Sequence, residues 1–232
     1  MKSPQYVAVI GDMVGSSALN RSARAKTQIS FTQLVDQLNA DFQVSLQGRF
    51  VIALGDGFEG LIHARAASAI VPILIWKIEL TFTDLPIRLG FGFGGIDTAL
   101  APNVSNLDGP TFHRAREAVE AAAKSGKMGG VFRGFGENHD AVLNGIARIL
   151  HAHRSRWSRQ QRNVAMLLHQ GHRQSDVARI MSRSRQAVST DARAANWAAY
   201  VEGEQGLTKA LENAIAARAR WDTMPLRKTG ST

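Results

Sequence analysis

Apolar residues change their rhythm once along this chain, and that change limits the fold more than any other feature. Up to about residue 140, short strand-like runs alternate with helical stripes; beyond it every apolar pattern has the helical period. Residues 6–10 form an apolar run ending at Gly11-Asp12, the pattern of a buried strand entering a loop. Ile29, Phe31, Leu34, Val35, Leu38 and Phe42 then recur at helical spacing and predict a long helix over 23–42. Residues 50–54 and 58–62 flank Gly55-Asp56-Gly57 and read as a hairpin. A helix over 66–80, perturbed by Pro72, precedes 87–93, whose alternation continues through Gly94-Gly95 into 96–98 as a second hairpin. An alanine-rich helix over 111–123 and a closing strand at 130–132 complete this part.

This order predicts an α+β fold, a ferredoxin-like, mainly antiparallel sheet with its helices on one face. We place the end of that domain at 140. A helical linker over 141–157, a helical domain over 158–222 and a mobile tail over 223–232 follow. In the helical domain, Ser158 and Gln161 have capping-box spacing and Gly171 stops the first helix. Helices over 175–181, 185–195 and 207–221 come next.

The chain has 232 residues and no cysteine, which excludes disulfides, thiolate nucleophiles and Cys-ligated zinc. We expect a cytoplasmic protein with no signal peptide and no membrane span, since the best apolar run, 69–76, carries Pro72 and is closed by Lys77 and Glu79. The net charge of +9 is unevenly placed. Residues 1–150 hold 14 basic against 13 acidic side chains, whereas 151–232 hold 14 against 6, and twelve of those late basic residues are arginines. Arginine suits forked contacts to phosphate and to guanine edges, although a merely solvated basic face has the same composition.

Two segments of the first part carry chemistry. Asp12 ends a strand and is followed by Met13, Val14, Gly15, Ser16 and Ser17, a loop whose free amides suit phosphate. Asp56 sits at a hairpin tip; if the two strands are neighbours, both carboxylates reach one sheet edge and suit Mg²⁺ or Mn²⁺ with a nucleotide's phosphates. Taken singly, Asp12 also fits a helix N-cap and Asp56 a plain turn residue. Val9-Ile-Gly-Asp-Met-Val-Gly-Ser16, Ala53-Leu-Gly-Asp-Gly-Phe58, Ile87-Arg-Leu-Gly-Phe-Gly-Phe-Gly94 and Asp108-Gly-Pro-Thr-Phe-His-Arg-Ala-Arg116 occur in that order. Together they resemble the SatD family, itself similar to the palm domain of class III nucleotidyl cyclases and GGDEF enzymes. The resemblance implies a palm over about 6–132, with Asp12 and Asp56 as metal ligands and 13–17 as the phosphate loop. Where cyclases carry Asn and Arg on the helix after the glycine motif, this chain has His113, Arg114 and Arg116. Arg116 is therefore a candidate for stabilising phosphate charge and His113 for proton transfer, with a plain surface or core histidine as the other reading. No lysine precedes the hairpin Gly-Asp where adenine-selecting cyclases commonly have one.

Residues 158–197 resemble the helix-turn-helix of LuxR-type and sigma-factor-like regulators. In that reading Ser184 caps the recognition helix, and Arg185, Gln186, Ser189 and Arg193 follow along the side that enters a major groove. Arg183, Arg159 and Arg162 meet phosphates. A basic protein-contact module is the competing reading.

These expectations join into a homodimeric DNA-binding regulator with a nucleotide-and-metal palm. The alternatives are an active nucleotidyl cyclase or related transferase recruited through its helices, and a palm that serves only as a dimerisation scaffold.

Overall fold

The computed structural model describes residues 4–53, 56–83, 85–99, 104–126 and 128–221. Gly55, at the hairpin tip, and the tail over 223–232 lie outside these residues. Strands β1 (Tyr6–Met13), β2 (Leu46–Ala53), β3 (Gly57–His63), β4 (Ile87–Gly94) and β5 (Val131–Arg133) form one sheet in the order β2-β3-β1-β4-β5. Helix α1 (Arg21–Phe42) connects β1 to β2, and α2 (Ala64–Thr81) connects β3 to β4. Two βαβ units thus interleave, and β1 pairs antiparallel with both β3 and β4.

Strand alternation sorts the side chains. Val7, Val9, Phe58, Ile62, Leu89, Phe91 and Phe93 face α1 and α2, while Tyr6, Ala8 and Leu61 face the other way. The expected single helical face is corrected here: α3 (Pro110–Ser125) covers the second face, where Phe112 and Ala115 pack on Tyr6, Ala8 and Leu61. The cause lies in β4, whose Gly90, Gly92 and Gly94 present no side chain, so the α3 backbone rests directly on the strand. The expected second hairpin is corrected as well. Residues 96–98 form no strand; Asp97 N donates to Asp108 O (2.9 Å), and β4 takes β5 as a parallel neighbour across the α3 crossover.

Beyond the sheet come α4 (Glu137–Arg154), α5 (Arg159–His169), α6 (Gln174–Ile180), α7 (Arg185–Ala194) and α8 (Trp197–Trp221). Residues 141–154, expected as a linker, belong to α4 and bury Leu143, Ala147 and Leu150. The last helix begins ten residues earlier than expected, at Trp197, and packs on α2 and α4. Trp157, Ala165, Ala195, Tyr200, Leu207, Leu211 and Ala214 thereby join the same apolar cluster as Val7 and Leu74. At its centre Trp76 of α2 stacks on His169 at 4.2 Å and adjoins Trp157, Trp197 and Tyr200. His169 is held in turn by Glu204 (Nε2–Oε2 2.9 Å).

The buried ion pair between Glu79 of α2 and Arg154 of α4 (Nε–Oε2 2.9 Å) lies beside this cluster, and Arg154 also donates to the Tyr200 hydroxyl. None of the described helices is long and apolar enough to cross a membrane.

Candidate functional site

Register decides which residues meet. β1–β3 pairing sets Asp12 opposite Gly57, so Asp56, one residue earlier, reaches the same end of the sheet; Met13 N donates to Asp56 O at 3.2 Å. β1–β4 pairing sets Asp12 opposite Arg88, whose Nη1 donates to Asp12 Oδ2 at 3.2 Å. The Ser16 hydroxyl donates to Asp56 Oδ2. Four side chains from β1, its following loop, the hairpin and β4 thus gather at one sheet end. Asp12 alternates with Ile10 and Ala8 and lies on the α3 side, whereas Asp56 lines a cavity of about 240 Å³ beside α1. Ser16, Arg24, Thr27, Gln28 and Phe31 line that cavity too.

The loop after β1 is narrower as an anion site than its sequence indicates. The Met13 amide is engaged by Asp56 O, and the Val14 amide donates to Pro86 O at 2.9 Å. Met13 is also buried. Gly15, in the left-handed region at φ 76°, turns the chain into a 3₁₀ turn over Ser16–Ala18, and Asn20 then caps α1 by accepting from Ala23 N. Among the described contacts, the amides of Gly15 and Ser16 have no acceptor in the chain, so they are the donors left for an anion. The side chain of Ser17 lies outside the described part.

The donors here are hard oxygens, of the kind that suits Mg²⁺ or Mn²⁺ alongside a nucleotide's own phosphates, but they are divided: Asp12 stands with Arg88 on the α3 side, and Asp56 with the Ser16 hydroxyl at the α1 cavity. Alone they are too few for a complete cage; no group of three or more His, Cys, Asp and Glu with metal-ligand spacing occurs among the described residues.

His113 and Arg116 belong elsewhere. Tyr6, at the other end of β1, pairs with Gly94, and the buried Thr111 hydroxyl accepts from Ala8 N and donates to Gly92 O. The Thr111 hydroxyl therefore anchors the start of α3 four β1 residues before Asp12, roughly 13 Å away at the usual rise per strand residue. Both side chains turn to Asp108: His113 Nε2 lies 3.2 Å and Arg116 Nη1 3.5 Å from its Oδ1. The Gly109 amide, then His113 and Arg116, hold the Asp108 carboxyl below its ordinary range. Within one chain the structure does not bring His113 or Arg116 to Asp12 and Asp56. Arg88 was the residue missed in sequence, although its polar place in the alternating run 87–93 marks it as leaving the core face.

In the basic segment, Val188 and Ala192 of α7 pack on Val164, Val177 and Ala178 of α5 and α6. The Ser184 hydroxyl caps α7 by accepting from Ala187 N at 3.1 Å, and Arg185, Gln186 and Arg193 are exposed, with Ser189 half-buried. Arg183 is tied to Asp191 (Nη1–Oδ2 2.5 Å). Arg159 is exposed, while Arg162 donates to Trp157 O at 2.9 Å and lines a cleft against α2.

The SatD family model matches residues 6–197, from the start of β1 through α7 to the first residue of α8. No curated protein matches the chain. Among solved structures, the chain is similar to the guanylyl cyclase domain of the RhoGC fusion protein from the aquatic fungus Blastocladiella emersonii (18% identity, TM-score 0.39, 51% of this chain and 74% of that one). It is similar to a bacterial light-regulated adenylyl cyclase (10% identity, TM-score 0.43, 57% and 77%). A third is a microbial GGDEF domain (17% identity, TM-score 0.37, 56% and 78%).

Proposed function

The chain belongs to the SatD family, and on that premise we propose that it is a cytoplasmic, homodimeric DNA-binding regulator whose sheet-end site senses a nucleotide. The observation that carries the ligand half is the register of β1, which gathers Asp12, Asp56, Ser16 and Arg88 at one sheet end. Arg88 and the amides of Gly15 and Ser16 bind phosphate, and Asp12 and Asp56 hold the divalent ion. When bound, Mg²⁺ neutralises phosphate charge. Arg88 exchanges its Asp12 partner for phosphate oxygens, so occupancy changes the contacts of β4.

For the DNA half, the support is the row of exposed Arg185, Gln186 and Arg193 with half-buried Ser189, on a capped helix whose inner face is fixed by Val188 and Ala192. In this reading α5, α6 and α7 form a helix-turn-helix and α7 enters the major groove, with Arg159 on a phosphate. Arg162 and Arg183 are part-occupied by Trp157 and Asp191 and contribute less.

Selection of duplexes from a random pool by the full-length protein tests this. Arg185→Ala should cost about 1–3 kcal/mol on the selected duplex and little on a scrambled one, whereas Arg159→Ala should weaken both and lower the salt slope by about one. No enrichment, or an Arg185→Ala protein that binds the selected duplex like the wild type, overturns the DNA half. Pyrophosphate release from an NTP, lost in both Asp12→Asn and Asp56→Asn, would instead favour a nucleotidyl cyclase.

A further inference from the structure

We propose that the cleft between α2 and α5 is a second binding site, for a small phosphate ester with a flat apolar body such as a nucleoside monophosphate. Two chambers of about 470 and 130 Å³ adjoin there, sharing Leu80, Thr83 and Arg162 in their walls. The larger falls in the usual range for small-molecule sites, about 300–1,000 Å³.

Their linings differ in a way that orients a ligand. The outer chamber presents the guanidiniums of Arg159 and Arg162, the Asn163 amide and the Thr83 hydroxyl. The inner chamber is walled by Phe82, Pro86, Ile87 and Met128, with Glu79, His151 and Arg154 among its polar groups. Glu79 is matched by Arg154, so the inner end is close to neutral and the positive charge stands at the mouth. Arg162 is steadied by its bond to Trp157 O, and Arg159 is exposed, with no partner among the described residues. Paired guanidiniums match phosphate geometry, which places the ester's anionic end outside and its apolar body inside. At the inner end Glu79 Oε1 is buried without a hydrogen-bond partner among the described residues, while His151 Nδ1 stands 3.1 Å from Glu79 Oε2, and a base edge carrying N–H groups supplies donors to the free carboxylate oxygen.

The cleft is separate from the sheet-end site but touches the same segment. Pro86 O accepts from the Val14 amide while Pro86 and Ile87 line the inner chamber, and Arg88 pairs with Asp12. A ligand here would hold α2 of the sheet layer and α5 of the basic segment at once.

The test uses the full chain, AMP and GMP as probes, and EDTA to remove metal, read by calorimetry. At least one nucleotide should bind saturably at millimolar concentration. The affinity should be unchanged in Asp12→Asn and fall about tenfold or more in Arg159→Ala, as expected for losing a charge-assisted contact. Arg159→Ala breaks no contact among the described residues, and an unchanged thermal melt separates its effect from one on folding; Arg162→Met should act in the same direction. Inorganic phosphate should bind at least about tenfold more weakly than the ester. Absence of binding, binding lost in Asp12→Asn, or binding unaffected by Arg159→Ala overturns the proposal. Because no metal or triphosphate is used, these results leave the sheet-end reading to its own titration.

Discussion

Glu79 and Arg154 are 75 residues apart in sequence and meet in the interior, where Arg154 is only 4% exposed. Burial alone would raise the Glu79 carboxyl, but Arg154, helped by His151, outweighs it and holds the carboxyl below its ordinary value. A depressed carboxyl contributes stability that is complete above the unfolded value, about 4.3, and is lost as pH falls through the folded value. Thermal melts from pH 7 down to about pH 5 should therefore show no loss from this pair, with the loss beginning below about pH 4.5. Glu79→Gln should remove that acid-side portion. At neutral pH, Glu79→Gln or Arg154→Met should cost about 3–5 kcal/mol, since either leaves a buried partner uncompensated. A cost below about 1 kcal/mol would mean that the pair is solvated. Nothing in the sequence announces this pair, because neither residue lies in a motif. Asp12 and Asp56 stand out in the sequence because each adjoins a glycine at a strand boundary, and their arrival at the same end of the sheet follows from the pairing of β1 with β3.

At the scale of elements, Gly94-Gly95 was the misleading signal. It read as the turn of a second hairpin, whereas Gly94 belongs with Gly90 and Gly92 in a flat seat for α3. A Cβ on Gly92 would stand 2.1 Å from Thr111 O and 2.4 Å from Ala115 N, both backbone atoms that cannot yield without moving the helix. Gly92→Ala should thus destabilise by about 1–3 kcal/mol or more in chemical denaturation, and Gly95→Ala, with open space around it, by much less. Equal effects would contradict the close seat. The capping box at Ser158, the stop at Gly171 and the Ser184 cap were all readable, because local hydrogen bonds fix them. The stripe Leu143, Ala147 and Leu150 also has helical spacing, yet alone it does not tell a connecting helix from one packed on the sheet.

For the whole molecule, the change of rhythm near residue 140 marks a change of secondary structure but not of core. Tyr200, Leu207, Leu211 and Ala214 of α8 share the apolar cluster that covers the sheet, so removing residues 151–232 uncovers Trp76 and the α2 face. That truncation should give no cooperative unfolding transition by circular dichroism; a sharp transition like that of the full chain would show an independent palm. The charge asymmetry was legible from counting alone. Its placement was only partly so, since Asp191 and Trp157 take up part of the arginine capacity. The central claim, a nucleotide site at the end of β1, is tested most directly by calorimetric titration of each NTP with Mg²⁺ into the full-length protein and its Asp12→Asn and Asp56→Asn variants. The predicted result is saturable binding of at least one NTP, weakened about tenfold or more in both variants; undiminished affinity in either variant, or no binding to the wild type, would contradict it.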